Sequence, residues 1–186
     1  DNEHARAEIS LFGAHVLRYQ RHGEPASLWL SDKAILDGSK PIRGGIPLCR
    51  PWFSPYPARV GSGKPAHGFA RNCLWTLDGV SDHGDGTLVH LSLRDNDASR
   101  TLWPHAFELE LDVLVGKELS LVLTTRNTGK SALTYNAALH TYLQISAPEA
   151  VTVTGLGEPY LDKLTGRNEL QQGALTVTAA MHRIYR

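Results

Sequence analysis

Two histidines, His67 and His140, and three arginines, Arg43, Arg50 and Arg71, are the side chains of this chain best suited to chemistry. An imidazole titrates near neutrality and can hand a proton to an ether or hydroxyl oxygen. Guanidinium forks match the oxygens of a phosphate or carboxylate in pairs. His67 and all three arginines lie in one stretch, Ile42 to Asn72, beside Gly44, Gly45 and Gly68 and the aromatic Trp52, Phe53 and Phe69. Glycines let the backbone come close to a ligand. The stretch thus reads as a loop site for an anion and a sugar, with Trp52 and Phe69 against the ligand. Read from composition alone, the same glycines and prolines also fit a shaped loop with solvated arginines. Arg50 either joins the anion site or points to solvent.

The other polar residues divide in the same way. His140 is a candidate general acid, or a histidine hydrogen-bonded within a polar sheet face. Asp162, in Tyr160-Leu161-Asp162-Lys163, offers a carboxylate to sugar hydroxyls or stabilises its own turn. His105 lines a pocket or caps a loop, and His15, His22, His83 and His90 read as surface or turn residues. No histidine or cysteine spacing fits a metal centre, and no nucleophile elbow, phosphate-binding P-loop or dinucleotide fingerprint occurs. Acid–base chemistry without a cofactor or metal, or plain binding, is what the residues leave.

The bulk properties narrow the partners. Nineteen basic and nineteen acidic residues cancel in a chain of 186, which gives no footprint for nucleic acid or an anionic membrane. No apolar run approaches the roughly 20 residues of a membrane span. The polar opening residues show no secretory signal, and Cys49 and Cys73 read as buried thiols of a reducing, cytoplasmic compartment. One domain over 1–186, monomeric or weakly dimeric and binding a small molecule, is the expectation.

Strands must position these groups. Ala5, Ala7, Ile9 and Leu11 alternate with polar residues, Gly13 marks a bend, and Ala14 to Tyr19 resumes the extended pattern. Leu28-Trp29-Leu30 is a short strand, and residues 31–41 are a connector with room for one helical turn. Leu74 to Val80 and Thr87 to Arg94 read as strands, Asp95 to Arg100 as a polar loop. Alternation from Phe107 to Val115 and from Leu119 to Leu123 predicts a hairpin, with Gly116-Lys117 as its type II′ turn. Ala132 to Ile145 reads as one long strand whose polar face carries Asn136, His140, Tyr142 and Gln144. Short strands follow at Val151 to Thr154 and Ala174 to Thr178. The pattern is that of an all-β sandwich or barrel.

Five motifs in order, I-R-G-G-I-P-L-C-R-P-W-F, P-A-H-G-F-A-R-N, W-P-H-x-F, T-T-R-N-T-G and A-A-L-H-T-Y, resemble the glucose-6-phosphate 1-epimerases. These are hexose-6-phosphate mutarotases of the aldose 1-epimerase superfamily. The resemblance implies a galactose-mutarotase-like β-supersandwich, incomplete at its C-terminus here. It implies anomer interconversion by ring opening: a carboxylate takes the anomeric proton while a histidine protonates the ring oxygen. His140 is similar to that acid, His67 to a substrate-orienting histidine, and Arg43 and Arg71 to the pair that holds the sugar phosphate.

Two departures stand beside the match. His182, in Ala180-Met181-His182-Arg183-Ile184-Tyr185, occupies the place of a sugar-binding aspartate, and the family's glutamate base has no counterpart in residues 1–186. The expectation is therefore either part of an active epimerase or a relative that binds sugar phosphate without turning it over.

Overall fold

The largest sheet grows from one strand. In the computed structural model, which describes residues 1–54, 63–157 and 159–185, β6 (Phe107–Gly116) alternates buried and half-buried side chains for most of its length. Phe107, Leu109, Leu111, Val113 and Val115 point inward, each burial favouring the fold by about 1.5–3 kcal/mol. β6 pairs antiparallel with β5 (Gly86–Arg94) on one side and β7 (Leu119–Asn127) on the other, and β4 (Thr76–His83) closes the order β4-β5-β6-β7. The outer face carries cross-strand pairs: Arg94 and Arg126 with Glu108, Arg126 with Glu110, and His90 with Asp112.

The β6–β7 hairpin forms where the alternation predicts it, with a different turn. Val115 faces Leu119 across it, so three residues rather than two make the connection, and Gly116 is not at positive φ. Glycine is needed there for space: a Cβ on Gly116 would lie 2.0 Å from the Asp85 carbonyl oxygen.

The chain forms two compact units, Asp1–Gln144 and Ile145–Arg186. In the first, the hairpin of β1 (Ala5–Ser10) and β2 (His15–Arg21) joins the four-stranded sheet through polar ties. The Tyr19 hydroxyl donates to the Gly116 carbonyl at 2.9 Å, and Asn2 Nδ2 donates to the Val115 carbonyl at 2.7 Å. The core runs through aromatic rings, Trp52 to Phe69 to Phe107 to Trp103, with successive centroids 5.8, 6.0 and 5.5 Å apart.

Three readings of the sequence need correction. The expected polar loop after Asp95 holds a six-residue helix, α1 (Asp97–Leu102), whose Asn96 cap accepts from the Ser99 N–H while Ser99 reciprocates. Residues 31–41 carry a turn closed by the Ala34 N–H on the Ser31 carbonyl, with no helix. The long strand expected over 132–145 reduces to β8 (Ala138–Leu139), paired with β3 (Leu48–Cys49). Pro47 and Pro51 flank its partner; their carbonyls accept from His140 and Asn136, but they have no N–H to return. The ladder is therefore one-sided at both ends.

The second unit holds short antiparallel pairs. β9 (Thr152–Val153) pairs with β12 (Leu175–Thr176), and β10 (Tyr160–Asp162) lies between β11 (Asn168–Glu169) and β13 (Arg183–Tyr185).

Candidate functional site

A glycine brings the two central loops together. Gly68 lies at φ +72°, and a Cβ there would be 1.9 Å from the Arg50 carbonyl oxygen. The same oxygen accepts from the N–H groups of Phe69 and Ala70. This close approach sets His67 beside Phe53 and Ser54. The Ser54 N–H donates to His67 Nδ1 at 3.1 Å, and the His67 N–H donates to the Ser54 carbonyl at 3.0 Å. Both residues have positive φ, 70° and 64°, a conformation non-glycine residues seldom adopt and which clusters at ligand sites.

His140 reaches the same place from β8's C-terminal side. Its N–H donates to the Pro47 carbonyl at 3.0 Å, which fixes its backbone beside that loop. The rings of His67 and His140 meet edge to face with centroids 6.0 Å apart, and Phe53 lies 5.0 Å from the first and 6.0 Å from the second. Tyr142 stands 5.0 Å from His140, and Trp29 lies 5.8 Å from Tyr142. The Arg43 guanidinium completes the row, 6.0 Å from the Trp29 centroid.

The Nδ1 of His67 accepts from an amide, so in the neutral ring the proton is on Nε2. Burial lowers the pKa of His67 below the ordinary histidine value, and the positive charges of Arg71 and His140 lower it further. A neutral ring with Nε2–H available is a hydrogen-bond donor to a ligand oxygen. Arg71 lends its charge to this environment. Its Nη2 donates to the Ala66 carbonyl at 3.0 Å, and its buried Nε has no acceptor among the described residues.

The structure thus gathers His67 and His140 among the sequence-predicted site residues, with Arg71 near enough to His67 for its charge to be felt, and places Arg43, exposed, beyond Trp29 and Tyr142 from His140. Others have partners of their own. Trp52 and Phe69, expected against the ligand, are each 3% exposed and pack in the core beneath the loops. Trp52 Nε1 donates to the Pro65 carbonyl, which ties the core to the loop. Arg50 neither joins the anion site nor meets solvent. It is 1% exposed, its Nη2 donates to Thr125 Oγ1, and its guanidinium lies on the Tyr135 ring. Asp162, in the second unit, accepts from the N–H groups of Leu164 and Thr165, the bonds of a turn. The proline-bearing loop expected between Phe53 and His67 falls partly on 55–62, outside the described residues.

Sequence reasoning missed Ser54, Trp29 and His15. Trp29 read as an apolar strand residue, and nothing in Leu28-Trp29-Leu30 signals a ligand. His15 read as a surface or turn residue and is 1% exposed. Among the described residues no group of three or more His, Cys, Asp or Glu side chains is placed to hold a metal ion.

Comparison with known proteins bears on this geometry. The sequence model described as "Aldose 1-epimerase" matches residues 1–179. A protein of Escherichia coli K12 named "Putative glucose-6-phosphate 1-epimerase" is 35% identical over 187 aligned residues, covering 100% of this chain and 61% of its own length. The crystal structure of a "putative mutarotase" from Salmonella typhimurium superposes with a TM-score of 0.91 at 34% identity, covering 100% of this chain and 61% of that one. A Synechocystis protein superposes with a TM-score of 0.86 at 26% identity, over 96% of this chain and 64% of that one. The chain therefore spans less than two thirds of the length of these relatives. The expected galactose-mutarotase-like, all-β fold is borne out.

Proposed function

The chain belongs to the aldose 1-epimerase family, and from that premise we propose that it is part of an isomerase that interconverts the α and β anomers of an aldohexose 6-phosphate. The observation that carries the reading is the His67–His140 pair, two imidazoles edge to face at 6.0 Å beside an arginine with an unpartnered donor. Ring opening of a hemiacetal needs a proton delivered to the ring oxygen and one removed from the anomeric hydroxyl. His140 is the acid. His67, held neutral with Nε2–H outward, donates to a sugar oxygen and fixes the ring so that His140 meets it. Phe53 and Tyr142 flank the imidazoles. Arg43 and Arg71 hold the phosphate, a role suited to guanidinium donors.

A base for the anomeric hydroxyl must come from outside this pair, because the Nδ1 lone pair of His67 is already engaged by Ser54. Glucose 6-phosphate is the preferred substrate on this reading, by the name of the Escherichia coli relative. The cytoplasm, where unpaired thiols such as Cys49 and Cys73 persist, is its compartment. No metal or nucleotide is required.

Exchange spectroscopy on the anomeric protons of glucose 6-phosphate tests the proposal. His140→Asn in the complete protein should reduce the exchange rate by a factor of 100 or more, the order expected for losing a general acid, while its circular dichroism is kept. Exchange undiminished in that variant would remove His140 from the role.

A second reading, a domain that binds sugar phosphate without turnover, is favoured by one observation: the Nδ1 of His67 is engaged by the Ser54 N–H, which leaves that ring no lone pair to act as a base. Calorimetry showing glucose 6-phosphate binding weakened by Arg71→Ala, with exchange at the buffer rate, would select it.

A further inference from the structure

We infer that His15 is a positioning residue for the substrate's phosphate: it locks the Gly44–Gly45 turn in the orientation that presents Arg43. The inference rests on the sugar-phosphate reading of the site.

His15 begins β2, yet its ring lies wholly inside, 1% exposed, with Nε2 2.7 Å from the Gly44 carbonyl oxygen. A carbonyl only accepts, so the ring proton is on Nε2 and the imidazole donates. Burial draws the His15 pKa down to about 4, with the charge of Arg71 adding to the effect. The imidazole therefore stays neutral at ordinary pH, with its one proton committed to Gly44.

The Gly44–Gly45 peptide is held at two points, its N–H by the Trp29 carbonyl and its C=O by His15. Gly44 and Gly45 lie at φ +113° and +60°, and two adjacent glycines leave the peptide between them free to rotate unless something holds it. Backbone partners hold its N–H and the carbonyls on either side. The Arg43 carbonyl accepts from the Ser31 N–H at 3.1 Å, the Gly45 N–H donates to the Trp29 carbonyl at 2.7 Å, and the Gly45 carbonyl accepts from the Tyr142 N–H at 2.9 Å. The Gly44 carbonyl takes its bond from a side chain, His15. Space points the same way: a Cβ on Gly45 would lie 2.9 Å from His15 Nε2 and 2.3 Å from the Val16 carbonyl oxygen. Ring and turn are fitted to each other.

The consequence runs in two directions along the chain. One residue before the gripped peptide is Arg43, over Trp29; across the Gly45 carbonyl is Tyr142, against the His140 ring. Rotation of the Gly44–Gly45 peptide would re-aim the guanidinium and release the Tyr142 amide. His15 reaches neither ligand nor acid, so its effect passes through the turn.

Two substitutions in the 186-residue chain separate this role from plain packing. His15→Phe keeps a ring but has no donor, and His15→Gln keeps an amide donor of similar reach. Calorimetry would follow glucose 6-phosphate and, in parallel, glucose; amide hydrogen exchange would follow Gly45 and Tyr142. We expect His15→Phe to weaken glucose 6-phosphate about tenfold and glucose less than twofold, and to speed exchange at both amides. His15→Gln should restore both measures to near the parent values. Equal weakening of both sugars, or unchanged exchange at Gly45 and Tyr142 in a folded His15→Phe, would overturn the inference. If the parent chain binds no sugar phosphate, the reading of the site fails, and exchange with its rescue by His15→Gln still decides whether His15 holds the turn. Should His15→Phe fail to fold, His15→Asn takes its place: its amide is too short to reach Gly44.

Discussion

Ser54 and His67 hydrogen-bond each other twice, amide to imidazole at 3.1 Å and amide to carbonyl at 3.0 Å, with both backbones at positive φ. The clasp fixes which nitrogen of His67 carries the proton, and so decides that this ring donates to a ligand. Nitrogen-detected NMR should find His67 as the Nε2–H tautomer, titrating below the ordinary histidine value of 6.5. Because Arg71 is among the causes of that depression, Arg71→Met should move the midpoint upward. A midpoint unmoved by the substitution would mean that Arg71 does not face His67.

Gly68→Ala should abolish the fold of the loop pair. The added Cβ meets the Arg50 carbonyl oxygen at 1.9 Å and the backbone is at φ +72°, so both the clash and the conformation count against it. A loss of about 3 kcal/mol or more is expected, measurable as a lowered urea midpoint. A loss under about 1 kcal/mol would show that the two loops can part at little cost.

Arg50→Met should leave stability unchanged or raise it. The guanidinium is buried with Nε and Nη1 unpartnered, and burial draws its pKa down to about 10, so it remains charged at neutral pH. An underpaired buried charge replaced by an apolar side chain of similar length often gains about 1–4 kcal/mol. Thermal melting of the variant decides the matter, and a marked drop would mean that the Tyr135 stack and the Thr125 bond outweigh the desolvation.

Stability should fall as the solution is acidified from pH 6.5 to 4, in part through His15. Its folded pKa, about 4, lies below the histidine value of 6.5, so the unfolded chain takes up a proton first. The stabilisation is complete above pH 6.5 and is lost as pH falls through that window, by about 3 kcal/mol in all. His67, also depressed, acts in the same direction. Between pH 7 and pH 4 the urea midpoint of the parent chain should fall relative to that of His15→Gln. A constant gap would show that His15 does not titrate between its folded and unfolded values.

Much of the fold was legible where one periodicity acts alone. β6 alternates five buried residues with Glu108, Glu110, Asp112 and Leu114, and the β1–β2 hairpin divides at Gly13 as the sequence implies. Legibility failed where a distant neighbour decides. Gly116 looks like a turn glycine, but its size is set by Asp85. Residues 132–145 alternate like a strand, but the partner's prolines withhold the donors that would complete it. At the site, His67 and His140 stand out by residue type, and the structure puts them together. Trp52 and Phe69 share the same motifs yet pack inward, because composition marks a loop as aromatic without saying which face of it is wet. His15 was missed for the opposite reason: a histidine after a glycine bend reads as surface, and only the carbonyl of Gly44, 29 residues on, explains its burial.

The row from Arg43 through Trp29 and Tyr142 to His140 also gives the molecule a native optical reporter. Of its four tryptophans, Trp52, Trp75 and Trp103 are 3%, 2% and 7% exposed, and Trp29 alone is half-buried. A polar quencher such as acrylamide or iodide should therefore reach the emission of Trp29 first. A ligand settling against Arg43 would shield that indole and leave the other three unchanged. Occupancy could then be followed by light, with no label added and no turnover required.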